Sequence, residues 1–278
     1  MTDDPALPDA RTPAPRLKVG AATDVGRVRE HNEDAAIAEG VVFAVADGMG
    51  GHAAGEVASG IAVDTLREIA GRAPLSVEDL EQQLDAANRR ILGAVHEQPE
   101  RRGMGTTVTG VALVSVGGTD HWAVFNVGDS RVYRWLDGTL SQVTVDHSEV
   151  QEMISAGVIT PDEARTHPLR NVVTRSLGTD AQHQPDVWVI PPYPGERFVI
   201  CSDGLTNELD DRDLRELLQE HPDAQQAAEQ LVREAVVAGG RDNVTVVVVN
   251  LEGEPPEDTV TSPREADERT APRDVEEK

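Results

Sequence analysis

The sequence predicts an α+β layered sandwich, in which amphipathic helices cover the faces of mostly antiparallel sheet. Three observations predict it. Long helical periods recur, short β-branched runs follow one another across turns too brief for crossover helices, and no linker or internal repeat interrupts residues 17–252.

Taken in order, Val41 to Ala46 is a short apolar strand that stops at Asp47-Gly48. Glu56 to Gly71 carries Val57, Ala58, Ile61, Ala62, Leu66 and Ile69 on one helical face. Ser76 to His96 opens with Ser76-x-x-Asp79 as a cap and repeats Leu80, Leu84, Ala87, Ile91 and Val95. Thr107 to Val116, His121 to Val127 and Arg131 to Leu136 are strands, with a hairpin expected around Gly128-Asp129-Ser130 and a further turn at Asp137-Gly138. Ser148 to Ala156 is a short amphipathic helix, and Thr160-Pro161-Asp162-Glu163 starts another. Arg197 to Ser202 and Asn243 to Asn250 complete the strands. Between them come a short helix from Asp211 to Leu218 and a longer one from Ala224 to Val237, stopped by Gly239-Gly240.

With 278 residues and 38% hydrophobic content the chain can bury a sizeable core. Residues 1–16 and 253–278 are rich in Pro and charge with little to bury, and are expected to be disordered tails. A formal net charge of −25 without a basic stripe argues against a nucleic-acid partner. No apolar run is long enough to span a bilayer, and MTDDPALPDARTPAPR lacks the basic start and apolar stretch of a secretory signal. The expected compartment is the cytoplasm, and the lone Cys201 agrees with a reducing one.

One event recurs along the chain. VVFAVADG ends at Asp47-Gly48, RFVICSDG at Asp203-Gly204 and AVFNVGD at Asp129, while Asp242 stands just before a strand. A tight Asp-Gly turn accounts for any one of these, and coincidental turns remain one reading of the set. If the four carboxylates converge, their repulsion needs compensation. A hard divalent cation, Mg²⁺ or Mn²⁺, is the natural one, since it takes carboxylate, carbonyl and water oxygens and needs no Cys or His. Zinc is disfavoured because the histidines do not fall in ligand-spaced pairs. Upstream, GRVREHNEDAA crowds Arg29, Asn32, Glu33 and Asp34 together. Such a segment is either a solvated charged loop or an arginine placed to grip a tetrahedral oxyanion beside a carboxylate-rich metal site. Two cations plus an arginine suit phosphoester hydrolysis by activated water.

These blocks, in their order, resemble the metal-dependent protein phosphatases of the type 2C family, most closely compact bacterial members that act opposite Ser/Thr kinases. The resemblance rests on Arg29-x-x-Asn-Glu-Asp34, AVADGMGGH, GMGTT, NVGDSRVY, DHS, HPLRNVVTRSLG, CSDGL and RDNVTVVVV. It implies a four-layer α-β-β-α sandwich, with two central antiparallel sheets and a dinuclear site at the sheet ends. It also implies that Asp47 bridges two Mn²⁺ or Mg²⁺ ions, that the Gly48 carbonyl is a further ligand, and that Asp203 and Asp242 serve opposite metals. Glu33 and Asp34 would hold metal-associated water, and Arg29 would bind phosphate. Asp129 with Asp203, and Asn171 beside them, match the position of a third, weaker metal. Residues 146–171 match the mobile flap of the bacterial type, although an ordinary surface excursion would look alike in sequence.

One departure concerns the general acid. Eukaryotic relatives carry His directly after Asp-Gly, whereas here that position is Met49 and the nearest histidine is His52. His52 is expected to cap local structure, with another group donating the proton. Cys201 reads as a small strand residue, Ser130 as a turn hydroxyl, and His147 and His167 as hydrogen-bonding loop anchors. The expected function is dephosphorylation of phosphoserine and phosphothreonine proteins by a monomer that opposes a Ser/Thr kinase. The alternatives are a phosphatase for a small phosphoester and a catalytically silent binding module of the same fold.

Overall fold

The computed structural model describes residues 16–50, 54–180 and 184–253. Both expected tails lie outside these residues, apart from Arg16 and Gly253. The strands are β1 (Arg16–Asp24), β2 (Asp34–Glu39), β3 (Val42–Met49), β4 (Gly105–Thr106), β5 (Val108–Val116), β6 (Thr119–Val127), β7 (Arg131–Leu136), β8 (Thr139–Gln142), β9 (Asp186–Ile190), β10 (Arg197–Cys201) and β11 (Val244–Glu252). The helices are α1 (Ala54–Ala70), α2 (Val77–Glu97), α3 (Glu149–Ser155), α4 (Pro161–Ala164), α5 (Asp203–Thr206), α6 (Asp211–Glu220) and α7 (Ala224–Ala238).

Two sheets form the middle of the molecule. One has the order β1-β11-β10-β7-β8, the other β2-β3-β5-β6-β9 with β4 on β3, and every pairing is antiparallel. Side-chain alternation explains why both stay dry on two faces. Phe43, Val45, Val111, Trp122 and Val124 point from the second sheet to meet Val132, Phe198, Ile200, Val247 and Val249 of the first. Their opposite-facing neighbours Val42, Ala44 and Ala46 pack under α1 and α2, while Val244, Val246 and Val248 pack under α6 and α7. The result is the expected α-β-β-α sandwich.

The inter-sheet layer is joined by polar bonds as well as by packing. Trp122 and Phe198 meet edge to face at 5.3 Å between ring centroids. Wholly buried Glu196 accepts hydrogen bonds from Trp122 Nε1 (2.7 Å), the Tyr193 amide (2.8 Å) and Arg134 (2.6 Å). On the outside, α2 begins with the expected capping box of Ser76 and Asp79, and the short α4 with one of Thr160 and Glu163.

The expected hairpin at Gly128-Asp129-Ser130 is not one. β6 belongs to the second sheet and β7 to the first, so this segment carries the chain across the sandwich. Gly128 has φ +116°, and a Cβ on it would meet Thr107 Cγ2 at 2.5 Å, so the crossing presses against the start of β5. The Asp137-Gly138 turn does close a hairpin, between β7 and β8, with both residues at positive φ. The strand carrying Asp47 also differs from expectation. It runs on through Asp47-Gly48 to Met49, because Gly48 and Met49 pair with Thr106 and Gly105 of β4. No turn occurs there.

Candidate active site

The seam between the sheets gathers the acidic residues. Asp34 and Asp47 are direct cross-strand partners in β2 and β3. Asp203 begins α5 where β10 ends, Asp242 immediately precedes Asn243 and β11, and Asp129 lies on the crossing segment. The expected set of Asp34, Asp47, Asp129, Asp203 and Asp242 is therefore brought together from both sheets.

Each carboxylate is held by its backbone. The Asp47 amide donates to Thr107 Oγ1 (3.0 Å), and its carbonyl accepts from the Thr107 amide (2.9 Å) and Thr106 Oγ1 (2.9 Å). Gly48 N donates to the Glu33 carbonyl at 3.2 Å. A Cβ on Gly48 would meet the carbonyl oxygens of Gly55 and Glu33 at 2.3 and 2.5 Å, so only glycine lets the start of α1 lie against this strand. Asn207 Nδ2 donates to Asp203 Oδ2 (2.9 Å), and the Asp203 and Asp47 carboxyl groups are themselves within hydrogen-bonding reach. Asn243 clamps the loop before β2, since its Oδ1 accepts from Glu33 N (2.9 Å) and its Nδ2 donates to the carbonyls of Val25 and His31. That clamp presents Arg29, whose guanidinium donates to Asp242 Oδ2 at 2.7 Å while remaining 51% exposed.

Electrostatics sets this cluster apart from a set of turns. Asp34, Asp47 and Asp203 are each only partly exposed. Burial, then the other carboxylates, pushes Asp34 up to about 7, Asp129 up to about 8, and Asp47 and Asp203 above the ordinary carboxylate range. Asp34 accepts from Ser202 Oγ (2.8 Å) through Oδ2, whereas its buried Oδ1 has no partner. A buried acceptor left without a donor is costly, and Arg29, paired with Asp242, and Arg131, paired with Asp146, do not balance this many acids. A cation with a preference for oxygen ligands fits both facts. Among the described residues no three Asp, Glu, His or Cys side chains form a ready-made ligand cluster, so much of such an ion's shell would be water, as suits Mg²⁺ or Mn²⁺.

Beside Asp129, Asp203 and Asp242 lies a cavity of about 710 Å³, lined also by Arg29 and Asn171 and by residues of α3, α4 and the segment after them, including Val150, Ile154, Arg165 and Arg170. Asn171 thus shares one cleft with Asp129 and Asp203. Glu33 contributes its backbone to the site, and its carboxyl carbon lies beside Gly55. His52 lies outside the described residues. His147 and His167 are hydrogen-bonding anchors as expected, accepting through Nδ1 from the amides of Gly128 (3.1 Å) and Leu169 (3.2 Å). Cys201 is a buried strand residue whose thiol is pushed up to about 12, mainly by that burial, and Ser130, expected as a turn hydroxyl, is instead a buried hydroxyl on the crossing segment, 2.8 Å from Thr107 Oγ1.

Thr107, Ser202 and Asn243 were not singled out by sequence reasoning, yet they fix the acids in place. Their only signal is adjacency, in GMGTT, CSDGL and RDNVTVVVV. Arg131 is likewise visible only as part of NVGDSRVY. It reaches Asp146 with two nitrogens at 2.7 to 3.0 Å and lines the cleft beside Asp129.

Known proteins carry the same arrangement of strands and helices. The serine/threonine protein phosphatase PstP of Mycobacterium tuberculosis is 39% identical over 239 residues, which is 84% of this chain and 45% of that protein, so this chain spans less than half of its length. The serine/threonine phosphatase stp of Listeria welshimeri is 35% identical over 242 residues, covering 82% of this chain and 93% of its own. The crystal structure of the M. tuberculosis phosphatase PstP/Ppp matches with a TM-score of 0.81 and 38% identity, over 85% of this chain and 99% of the other. A crystal structure of the PstP catalytic domain in complex with two manganese ions matches with a TM-score of 0.77 and 35% identity, over 85% and 99%. The model of the family described as protein phosphatase 2C matches residues 27–237, from the loop that bears Arg29 to the end of α7. The order of motifs, the paired sheets and these matches agree, and the chain belongs to the protein phosphatase 2C family.

Proposed function

We propose that the protein is a Mn²⁺- or Mg²⁺-dependent serine/threonine phosphoprotein phosphatase. The observation that carries the reading is the convergence of Asp34, Asp47, Asp203 and Asp242 beside Arg29, whose ion pair is with Asp242. Asp47, the Gly48 carbonyl, Asp203 and Asp242 would hold two divalent cations, with Glu33 and Asp34 at their water ligands. Asp129, Asp203 and Asn171 would hold a third, weaker ion. When bound, such cations lower the pKa of a coordinated water and neutralise charge on a phosphoryl group.

The chain's own residues do the rest. Arg29, half-exposed and oriented by Asp242, offers its free guanidinium edge to phosphoryl oxygens at the mouth of the cleft. Thr107, Ser202 and Asn243 keep the carboxylates from moving as charge develops. Asn171 and the flap wall bound the space in which the residues flanking a phosphoserine or phosphothreonine would lie. The partners are phosphorylated proteins and a Ser/Thr kinase whose action the enzyme reverses, and the protein acts as a monomer in the cytoplasm. Among the described residues no helix is long and apolar enough to cross a membrane.

The test is phosphate release from a phosphothreonine peptide with Mn²⁺, with EDTA, and with Asp203→Ala. Activity that needs both the ion and Asp203 supports the reading. A folded protein that binds the ion yet releases no phosphate from the peptide overturns it, and release from small phosphoesters alone would move the substrate to that class.

A further inference from the structure

His147 holds together three parts of the molecule that the chemistry does not explain. The flap closes on itself at its root, where Glu149 N donates to the Val172 carbonyl (2.9 Å), Ser148 bridges Val173, and Thr174 N donates to the His147 carbonyl (2.8 Å). Immediately beside this ladder, the His147 amide donates to the Gly128 carbonyl (2.8 Å), and the Gly128 amide returns a bond to the ring at Nδ1 (3.1 Å). The ring is 5% exposed. Its other nitrogen faces Asp186 Oδ2 at 3.1 Å, and Arg175 Nη1, on the chain leaving the flap, lies 3.3 Å from both that nitrogen and Asp186 Oδ1.

The hydrogen bonds fix the tautomer. A backbone N–H can only donate, so Nδ1 is the acceptor and Nε2 carries the proton that goes to Asp186. Burial holds the imidazole below its ordinary pKa, which favours this neutral form. The other side of Gly128 is closed by Thr107, and its carbonyl also accepts from Asn126 Nδ2 (3.0 Å), so the segment leading to Asp129 is gripped from both sides. Few alternatives exist for the Gly128 amide. It is buried at the sheet crossing, and the imidazole is its acceptor.

We infer that His147 is a positioning residue, a pin that fixes the root of the flap to the Gly128-Asp129 crossing, so that the flap wall and the acids keep one distance across the cleft. The inference rests on the phosphatase reading for its kinetic consequence only. The cavity is lined by Arg29 and acids and also by Ile154, Arg165 and Arg170, so a peptide flanking the phosphorylated residue would meet the latter, whereas a small aryl phosphate held at Arg29 and the acids would not. Loosening the pin should therefore be felt by the peptide.

The experiment compares wild type, His147→Asn and His147→Phe, each shown to be folded by circular dichroism. Asn Oδ1 takes the place of Nδ1 as acceptor; Phe fills the ring volume without one. Hydrogen exchange at the Gly128 amide should quicken about tenfold or more in the Phe variant and stay within about threefold of wild type in the Asn variant. With saturating Mn²⁺, the Phe variant should raise KM for a phosphothreonine peptide about tenfold while KM for an aryl phosphate stays within about twofold, and Asn should restore the peptide value. Should Phe not fold, His147→Leu serves in its place, because it fills part of the ring volume and has no acceptor. Unchanged Gly128 exchange in the acceptor-free variant, equal losses in the Asn and acceptor-free variants, or a parallel rise for the aryl phosphate would each overturn the pin. If wild type cleaves neither substrate, the phosphatase reading falls, and the exchange data still decide the role of His147.

Discussion

Asp34→Asn should change how the metal-stripped protein responds to pH. The Asp34 carboxyl moves from an ordinary 3.8 to about 7, first through burial and then through Asp203 and Asp242. Below pH 3.8 both the folded and the unfolded chain carry this proton and the site costs nothing. As pH rises the unfolded chain releases the proton first, so the folded state binds more protons and stability falls until about pH 7. At about 1.4 kcal/mol per pH unit, the loss from this one group approaches about 4 kcal/mol, an upper figure because its neighbours share the repulsion. Asn carries no proton to lose. Urea denaturation in EDTA at pH 4.5, 6, 7 and 8 should show wild-type stability falling with pH and the variant falling less steeply by about 1 kcal/mol per unit. The slope is the readout, since the amide also changes the bond to Ser202 by a pH-independent amount. Saturating Mn²⁺ should remove the wild-type slope. A wild-type curve that is flat in EDTA, or a variant curve parallel to it, would refute the argument that these acids repel one another in the folded protein.

Gly48→Ala should cost about 2 kcal/mol or more, because the added Cβ meets only backbone, at 2.3 Å from the Gly55 carbonyl oxygen and 2.5 Å from that of Glu33; calorimetric titration with Mn²⁺ should show weaker binding alongside the lower melting temperature. Arg29→Lys loses the two-pronged grip but little stability, since its pair with Asp242 is half-exposed; kcat/KM on a phosphopeptide should fall about 10- to 100-fold with the unfolding free energy within about 0.5 kcal/mol of wild type. Glu196→Gln strands Arg134 and faces an amide N–H toward donors in a fully buried spot, so urea denaturation should show a loss of about 3 kcal/mol, with activity per folded molecule unchanged.

Much of this was legible in the sequence where one physical cause dominates. The helical stripes of α1, α2 and α7 and the β-branched runs of β5, β7 and β11 are each decided by periodicity, and their observed ends differ by no more than two residues. The strands β1, β2, β8 and β9 were not legible. RLKVGAATD and DAAIAE are rich in Ala and Gly, TLSQ is polar, and DVWVI is short, so only pairing with a longer neighbour makes them strands. The crossing at Gly128-Asp129-Ser130 resembles a hairpin turn locally, and sheet membership is a tertiary fact. The acids could be found because Asp interrupts an apolar run. Thr107, Ser202 and Asn243 could not, because small polar residues next to such an interruption are ordinary.

The pairing of β1 with β11 runs from Arg16 opposite Glu252 to Asp24 opposite Val244, and thus joins an early segment to a very late one. On a ribosome, β1 waits unpartnered until β11 has emerged, and Asp242 emerges only just ahead of that strand. Closure of the first sheet and arrival of the last acid are therefore one event. Folding governed by so distant a contact is slow, and a nascent chain halted before β11 has an exposed edge and no finished cleft. A chain wired in this order completes its acidic cleft only when nearly all of the domain has been made.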